Sequence, residues 1–205
     1  MKAYVLIGVL VLAGGLLMWW LFGSGGWDIA NMPPKNEIVV AFGDSLVVGV
    51  GATSGNDLVS LLSKKLGRRI INAGVAGDTT ANGLARLSGI TAKSPGTVVV
   101  FLGGNDALRR IPLETTKENL NKIVGTLVES GSVVVLVAVR GNVFSDPYDE
   151  MYEEIARRHG AVLVPNVLEG ILLRPELTAD QIHPNDAGYE IVAERIYGTL
   201  GPMLE

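Results

Sequence analysis

Short runs of β-branched residues alternate along this chain with longer stretches that carry apolar residues at helical spacing. Ile38 to Phe42, Arg69 to Ala73, Thr97 to Leu102, Ser132 to Val139 and Ala161 to Val164 predict five strands. Ser132 to Val139 is nearly all valine, which suits a central strand buried on both faces. Between the strands, Asp57 to Leu66, Thr79 to Ala92, Thr115 to Glu129 and Asp149 to His159 read as helices, and Asn185 to Leu200 closes the chain as another. In the third of these, Leu120, Ile123, Val124, Leu127 and Val128 share one face. Strands alternating with helices predict an α/β fold whose parallel sheet is covered on both sides. No internal repeat and no second domain is visible.

The N-terminus breaks this rhythm. Tyr4 to Phe22 is a run of 19 residues without a charge. As a helix it would span roughly 30 Å, the thickness of a bilayer core. Trp19 and Trp20 lie near its end, where indole rings favour the interface. A cleaved signal peptide and a buried soluble helix are the competing readings. The long apolar run and the weak cleavage candidates after Leu21 favour an uncleaved anchor over both. Lys2 then points to the cytoplasm, which leaves the rest of the chain on the extracytoplasmic side. Cleavage would make the protein secreted or periplasmic instead. Gly23 to Asn36 is rich in glycine and carries Pro33-Pro34, so it reads as a flexible linker with a reach of roughly 20 Å. The expected organisation is an anchor or signal segment over 1–22, a linker over 23–36 and a single domain over 37–205.

Composition narrows the chemistry. Hydrophobic residues make up 48% and charged residues 19%, much of the apolar excess lying in the N-terminal run. A net charge of −4 offers no basic patch for nucleic acid. With no cysteine, thiolate catalysis and cysteine-held zinc are excluded. With two histidines, His159 and His183, any histidine-dependent mechanism has two candidates. His159 ends a helix as Arg157-Arg158-His159-Gly160, where a cationic group complements the helix dipole, so it reads as structural.

In open α/β sheets ligands bind outside the carboxyl ends of the strands, so functional residues are expected just after them. Strand one runs into Gly43-Asp44-Ser45-Leu46, strand two into Ala73-Gly74-Val75-Ala76-Gly77-Asp78-Thr79, and strand three into Gly103-Gly104-Asn105-Asp106. Each would serve equally as a turn with a helix cap, and a Gly-Asp-Ser triplet arises by chance in about one chain in twenty of this length. The functional alternative makes Ser45 a nucleophile and Gly77 and Asn105 donors to an oxyanion. A serine hydroxyl needs a neighbouring base, and Asp180-Gln181-Ile182-His183-Pro184 supplies one. His183 would take the proton, with Asp180 three residues earlier orienting the ring. The order of the blocks is the argument: nucleophile after strand one, donors after strands two and three, Asp-x-x-His near the end. Val47, Val48, Phe144 and Leu172 are candidates for an acyl pocket or for plain packing, and Gly141 to Pro147 for a mobile loop.

These blocks resemble those of the GDSL, or SGNH, hydrolases. The neighbourhoods Asn72 to Thr80, Gly83 to Leu87 and Gly103 to Arg109 are similar to the bacterial subgroup of thioesterases, lysophospholipases and arylesterases, and the resemblance runs from about Ile38 to Ile196. It implies a flavodoxin-like three-layer sandwich with a five-stranded parallel sheet, here preceded by an N-terminal transmembrane helix. It also implies a serine hydrolase without metal or cofactor, acting on small acyl esters, thioesters or lysophospholipids. By that resemblance Ser45, Asp180 and His183 are catalytic, and Ser45, Gly77 and Asn105 form the oxyanion hole. The retained apolar N-terminus departs from the usual signal-peptide context. The rival expectations are an acyltransferase or O-deacetylase on the same fold and a non-catalytic lipid- or carbohydrate-binding module. An intact serine, histidine and aspartate set argues against the last.

Overall fold

The computed structural model describes residues 26–139 and 147–204. Along the chain these form β1 (Val39–Gly43), α1 (Ser45–Val48), α2 (Leu58–Leu66), β2 (Ile70–Gly74), α3 (Thr80–Ala85), α4 (Ser88–Thr91), β3 (Thr97–Phe101), α5 (Gly104–Leu108), α6 (Leu113–Glu129), β4 (Val133–Val137), α7 (Pro147–His159), β5 (Val162–Val164) and α8 (Asp186–Leu204). The five strands pair in parallel in the order β2-β1-β3-β4-β5. That order reverses at β1, so a crevice opens between β1 and β3 at their carboxyl ends.

Alternation of side chains splits the strand residues between two cores. Val39, Ala41, Val99, Phe101, Val133, Val135 and Val137 pack against Leu58 and Leu62 of α2 and Tyr189, Val192 and Ile196 of α8. Val40, Phe42, Val98, Val100, Val134 and Leu136 pack on the other face against Leu120, Ile123 and Leu127 of α6 and Tyr152 and Ile155 of α7. The result is the expected three-layer α/β sandwich.

Two expectations change. The single helix predicted over Thr79 to Ala92 is two short ones. Thr79 and Asn82 form a reciprocal capping box that starts α3, and the chain leaves it at Arg86 with φ −109°. Gly83 and Gly89 weaken helix propensity there, and the Arg86 side chain is drawn down onto the strand ends. The second change concerns the linker. Residues 26–36 lie along the amino edge of the sheet. The Trp27 indole donates to Ala161 O at 2.9 Å, and Ala30 N to Gly160 O at 2.9 Å. The Asn31 amide donates to Val128 O at 2.8 Å and Ser132 O at 3.0 Å, Lys35 Nζ to Ser130 O at 2.7 Å, and the Asn36 amide to Ser94 O at 3.0 Å. Ile29 and Met32 join the first core and Trp27 the second. Apolar side chains spaced among donors let this glycine- and proline-marked stretch dock, so residues 26–36 pack against the domain. The apolar run over 1–22 lies outside the described residues, as does 141–146 of the expected mobile loop. Among the described residues no helix is long and apolar enough to cross a membrane.

Candidate active site

Ser45 opens α1 directly after β1. The turn that presents it is tight: a Cβ on Gly43 would lie 2.4 Å from Phe101 O and 2.5 Å from Val47 Cγ2, so only glycine fits. Asp44 caps the helix by accepting the Leu46 N–H at 3.0 Å. His183 reaches Ser45 from the far end of the sequence, with Nε2 3.0 Å from Ser45 Oγ. Its Nδ1 is 2.7 Å from Asp180 Oδ2. The other Asp180 oxygen accepts the backbone N–H groups of Ile182 and His183, both at 2.8 Å. The His183 ring first, and then the Ile182 N–H, hold the Asp180 carboxyl down at about 2. Asp180 is therefore ionised across neutral pH and lies against Nδ1, while Nε2 faces Ser45. A backbone bridge between Thr178 and Pro184 closes the loop that carries both residues.

The expected oxyanion donors sit in two linked turns: Asn105 lines the cleft with Ser45, and Gly77 directly precedes Asp78, whose carbonyl meets the Asn105 amide. Gly77 has φ +82°, a conformation that favours glycine, and its carbonyl accepts from Arg109 Nη2 at 2.8 Å. Among the described residues no protein acceptor meets the Ser45 or the Gly77 backbone N–H. Asn105, at the start of α5, has its amide nitrogen 3.1 Å from Asp44 Oδ2 and 3.0 Å from Asp78 O. The amide nitrogen thus has two acceptors, one on the turn that carries Ser45 and one on the turn after β2.

Sequence reasoning passed over two buried acids. Asp44 is 2% exposed, and burial pushes its carboxyl up to about 6; the Leu46 N–H, the Asn105 amide and the nearness of His183 limit the rise. Asp106, fully buried, accepts from Thr80 N at 2.8 Å, Thr80 Oγ1 at 2.5 Å and Thr116 Oγ1 at 3.3 Å, tying α5 to α3 and α6. The signal was available, since each acid adjoins a proposed site residue.

A cleft of about 220 Å³ opens beside Ser45, lined by Leu46, Ala107, Leu108, Val139, Leu168 and Leu172 among others. Leu172 therefore borders the cleft as one of the expected acyl-pocket candidates. Val47 is instead core, Val48 is outside the lining, and Phe144 lies outside the described residues. His159 sits at the opposite edge of the sheet, against Asn121 Oδ1 at 3.1 Å and close to Gly125. It lies in the last turn of α7, as expected of a structural histidine, and burial first and Arg158 second lower its pKa. Among the described residues no group of three or more metal-ligating side chains gathers that could hold a metal ion.

A serine within hydrogen-bond reach of a histidine and aspartate pair, at the switch point of a doubly wound sheet, is the arrangement serine hydrolases use. The chain belongs to the GDSL-like lipase/acylhydrolase family, whose sequence pattern matches residues 41–191. It is 32% identical over 180 residues to the esterase TesA of Pseudomonas aeruginosa, covering 82% of this chain and 90% of that one. It is 28% identical over 177 residues to thioesterase 1/protease 1/lysophospholipase L1 of Escherichia coli, covering 82% and 85%. A crystal structure of TesA superposes with a TM-score of 0.76 at 32% identity, over 82% of this chain and 100% of that one.

Proposed function

We propose that the protein cleaves carboxylic ester or thioester bonds of small acyl substrates through an acyl-serine intermediate on Ser45. The observation that carries this is the continuous hydrogen-bonded path from Ser45 Oγ through the His183 ring to Asp180. His183 Nε2 takes the hydroxyl proton as Ser45 attacks the acyl carbon. The oxygen of the tetrahedral intermediate lies among the Ser45 and Gly77 N–H groups and the Asn105 amide. The imidazolium, held by the Asp180 carboxylate, returns the proton to the departing alcohol or thiol. Water then repeats the sequence on the acyl-serine and releases the carboxylic acid.

The apolar side chains of Leu46, Leu108 and Leu172 along the cleft suit the acyl or aryl part of an ester. The apolar run over 1–22 serves as a membrane anchor with the domain on the extracytoplasmic side. The resemblance to thioesterases and lysophospholipases supports thioesters and lysophospholipids as substrates beside simple esters. A fluorophosphonate probe should label Ser45 of the full-length protein, and p-nitrophenyl esters of increasing chain length, acyl-CoAs and lysophospholipids should rank the substrates. Labelling of a different serine would overturn the assignment. Product analysis with added alcohols would reveal an acyltransferase. Carbonate extraction and N-terminal sequencing test the anchor.

A further inference from the structure

We infer, on the donor roles proposed above for Gly77 and Asn105, that Arg86 is a positioning residue that locks the oxyanion donors to the turn carrying the nucleophile. Arg86 stands where α3 ends, and its guanidinium reaches three separate segments. Nη2 donates to Gly43 O at 2.8 Å, two residues before Ser45. Nη1 donates to Ala73 O at 2.8 Å, near the end of β2. Nε donates to Asp78 Oδ2 at 2.6 Å, and the group lies over the Phe42 ring at 4.4 Å.

Asp78 extends the lock in two directions. It directly follows Gly77, so fixing its carboxylate fixes the turn that aims the Gly77 N–H. Its backbone carbonyl accepts from the Asn105 amide at 3.0 Å, which sets the plane of that amide. Arg109 completes the hold on the turn through Gly77 O. One cation thus joins the end of β1, the end of β2 and the turn between Gly77 and Asp78, and through Asp78 it reaches Asn105.

Arg86 is suited to this and lysine is not. A planar guanidinium presents five donors in fixed directions, whereas an ammonium is a point charge on a flexible stem. The pair is mostly buried, its side chains 27% and 11% exposed, so the geometry is held by packing as well as by charge. Arg86 does not line the cleft. Its influence on the reaction passes through Gly43, Asp78 and Asn105. Donors help only where the oxyanion forms, so a small displacement of this turn lowers the rate without loosening the bound ester.

The test compares full-length Arg86→Lys and Asp78→Asn with the parent. The readouts are kcat and KM on p-nitrophenyl acetate, the rate of fluorophosphonate labelling, the melting temperature, and amide hydrogen exchange over 74–80. For Arg86→Lys the expected result is a fall in kcat of about 10- to 100-fold with KM within about twofold, and a parallel fall in labelling. Exchange should speed over 74–80 and stay unchanged over 128–132 at the opposite edge. Asp78→Asn should change the same quantities in the same direction, by about 3- to 10-fold. A folded Arg86→Lys protein with parental kcat and labelling rate would overturn the inference. So would a defect carried by KM, or exchange that rises evenly through the domain. A parent that neither turns over the ester nor takes the probe would overturn the hydrolase reading instead, and the exchange pattern would still decide the role of Arg86.

Discussion

The two edges of the sheet are finished in opposite ways. At the amino edge the loops before β3, β4 and β5 are covered by residues 26–36, whose side chains satisfy the carbonyls of Ser94, Val128, Ser130, Ser132 and Ala161. At the carboxyl edge the chain turns through Gly43, Gly77 and Gly103, leaves the Ser45 and Gly77 N–H groups without protein acceptors among the described residues, and buries a carboxylate at Asp44. Satisfied backbone stabilises, while free donors and a buried acid do so less well but give a ligand something to bind. The two edges should therefore answer mutation differently, one through stability and the other through rate.

The largest effect expected at the carboxyl edge comes from Ser45→Ala. Acyl-enzyme formation should vanish, with turnover down by about 10⁴-fold or more and the melting temperature nearly unchanged. His183→Ala should lose a comparable amount, and the double variant hardly more, because the two act as a unit. His159→Ala, at the other edge, should keep its turnover. If His159→Ala were the more damaging histidine variant, the division between the edges would fail.

Asn105→Ala comes next. Its kcat should fall by about 10²–10³-fold with little change in KM, because the hydrogen bond strengthens as the oxyanion forms. A defect wholly in KM would make Asn105 a substrate-binding residue.

Asp44 tests the idea that the carboxyl edge gives up stability. Its folded pKa of about 6 lies above the ordinary 3.8, so its protonated form is the favoured one in the fold. The stability linked to that shift is fully present below about pH 4 and is lost as pH rises through about 6. Asp44→Asn should accordingly gain stability relative to the parent as the pH rises from 4 to 7.5, by at most about 3 kcal/mol. Asp180 has the opposite sign: its pKa is lowered, so its contribution is present above about pH 4 and fades toward pH 2. Thermal melts of the parent and Asp44→Asn at matched pH would check this, and a relative gain on acidification instead would refute it.

The smallest effect on rate belongs to the amino edge. Asn31→Ala removes two bonds to backbone carbonyls and should cost about 1–2 kcal/mol in urea denaturation. Its kcat/KM should stay within about twofold of the parent. A loss of activity at full stability would show that the edges are coupled.

How much was legible depends on the distance over which each feature is written. Strand runs, helix faces and the three-residue spacing of Asp180 and His183 are local, and local periodicity reports them faithfully. The helix over Thr79 to Ala92 was misread because Arg86 finds its acceptors 13 and 43 positions away. Residues 26–36 read as flexible because glycine and proline mark turns whether or not the turn docks, and Trp27 meets Ala161 134 positions along the chain.

The alternation of strands and helices, a parallel sheet covered on both faces, and the order in which a serine, two candidate donors and an Asp-x-x-His pair follow one another are all written in the sequence. Each of these is a pattern among near neighbours or a succession along one chain. The 3.0 Å approach of Ser45 Oγ and His183 Nε2, the burial of Asp44, the joining of two strand ends to the Gly77-Asp78 turn by Arg86 and the cover that residues 26–36 give the amino edge are visible only in the folded molecule. Those depend on which surfaces meet once the sheet is wound, and burial and hydrogen-bond partners are properties of that meeting.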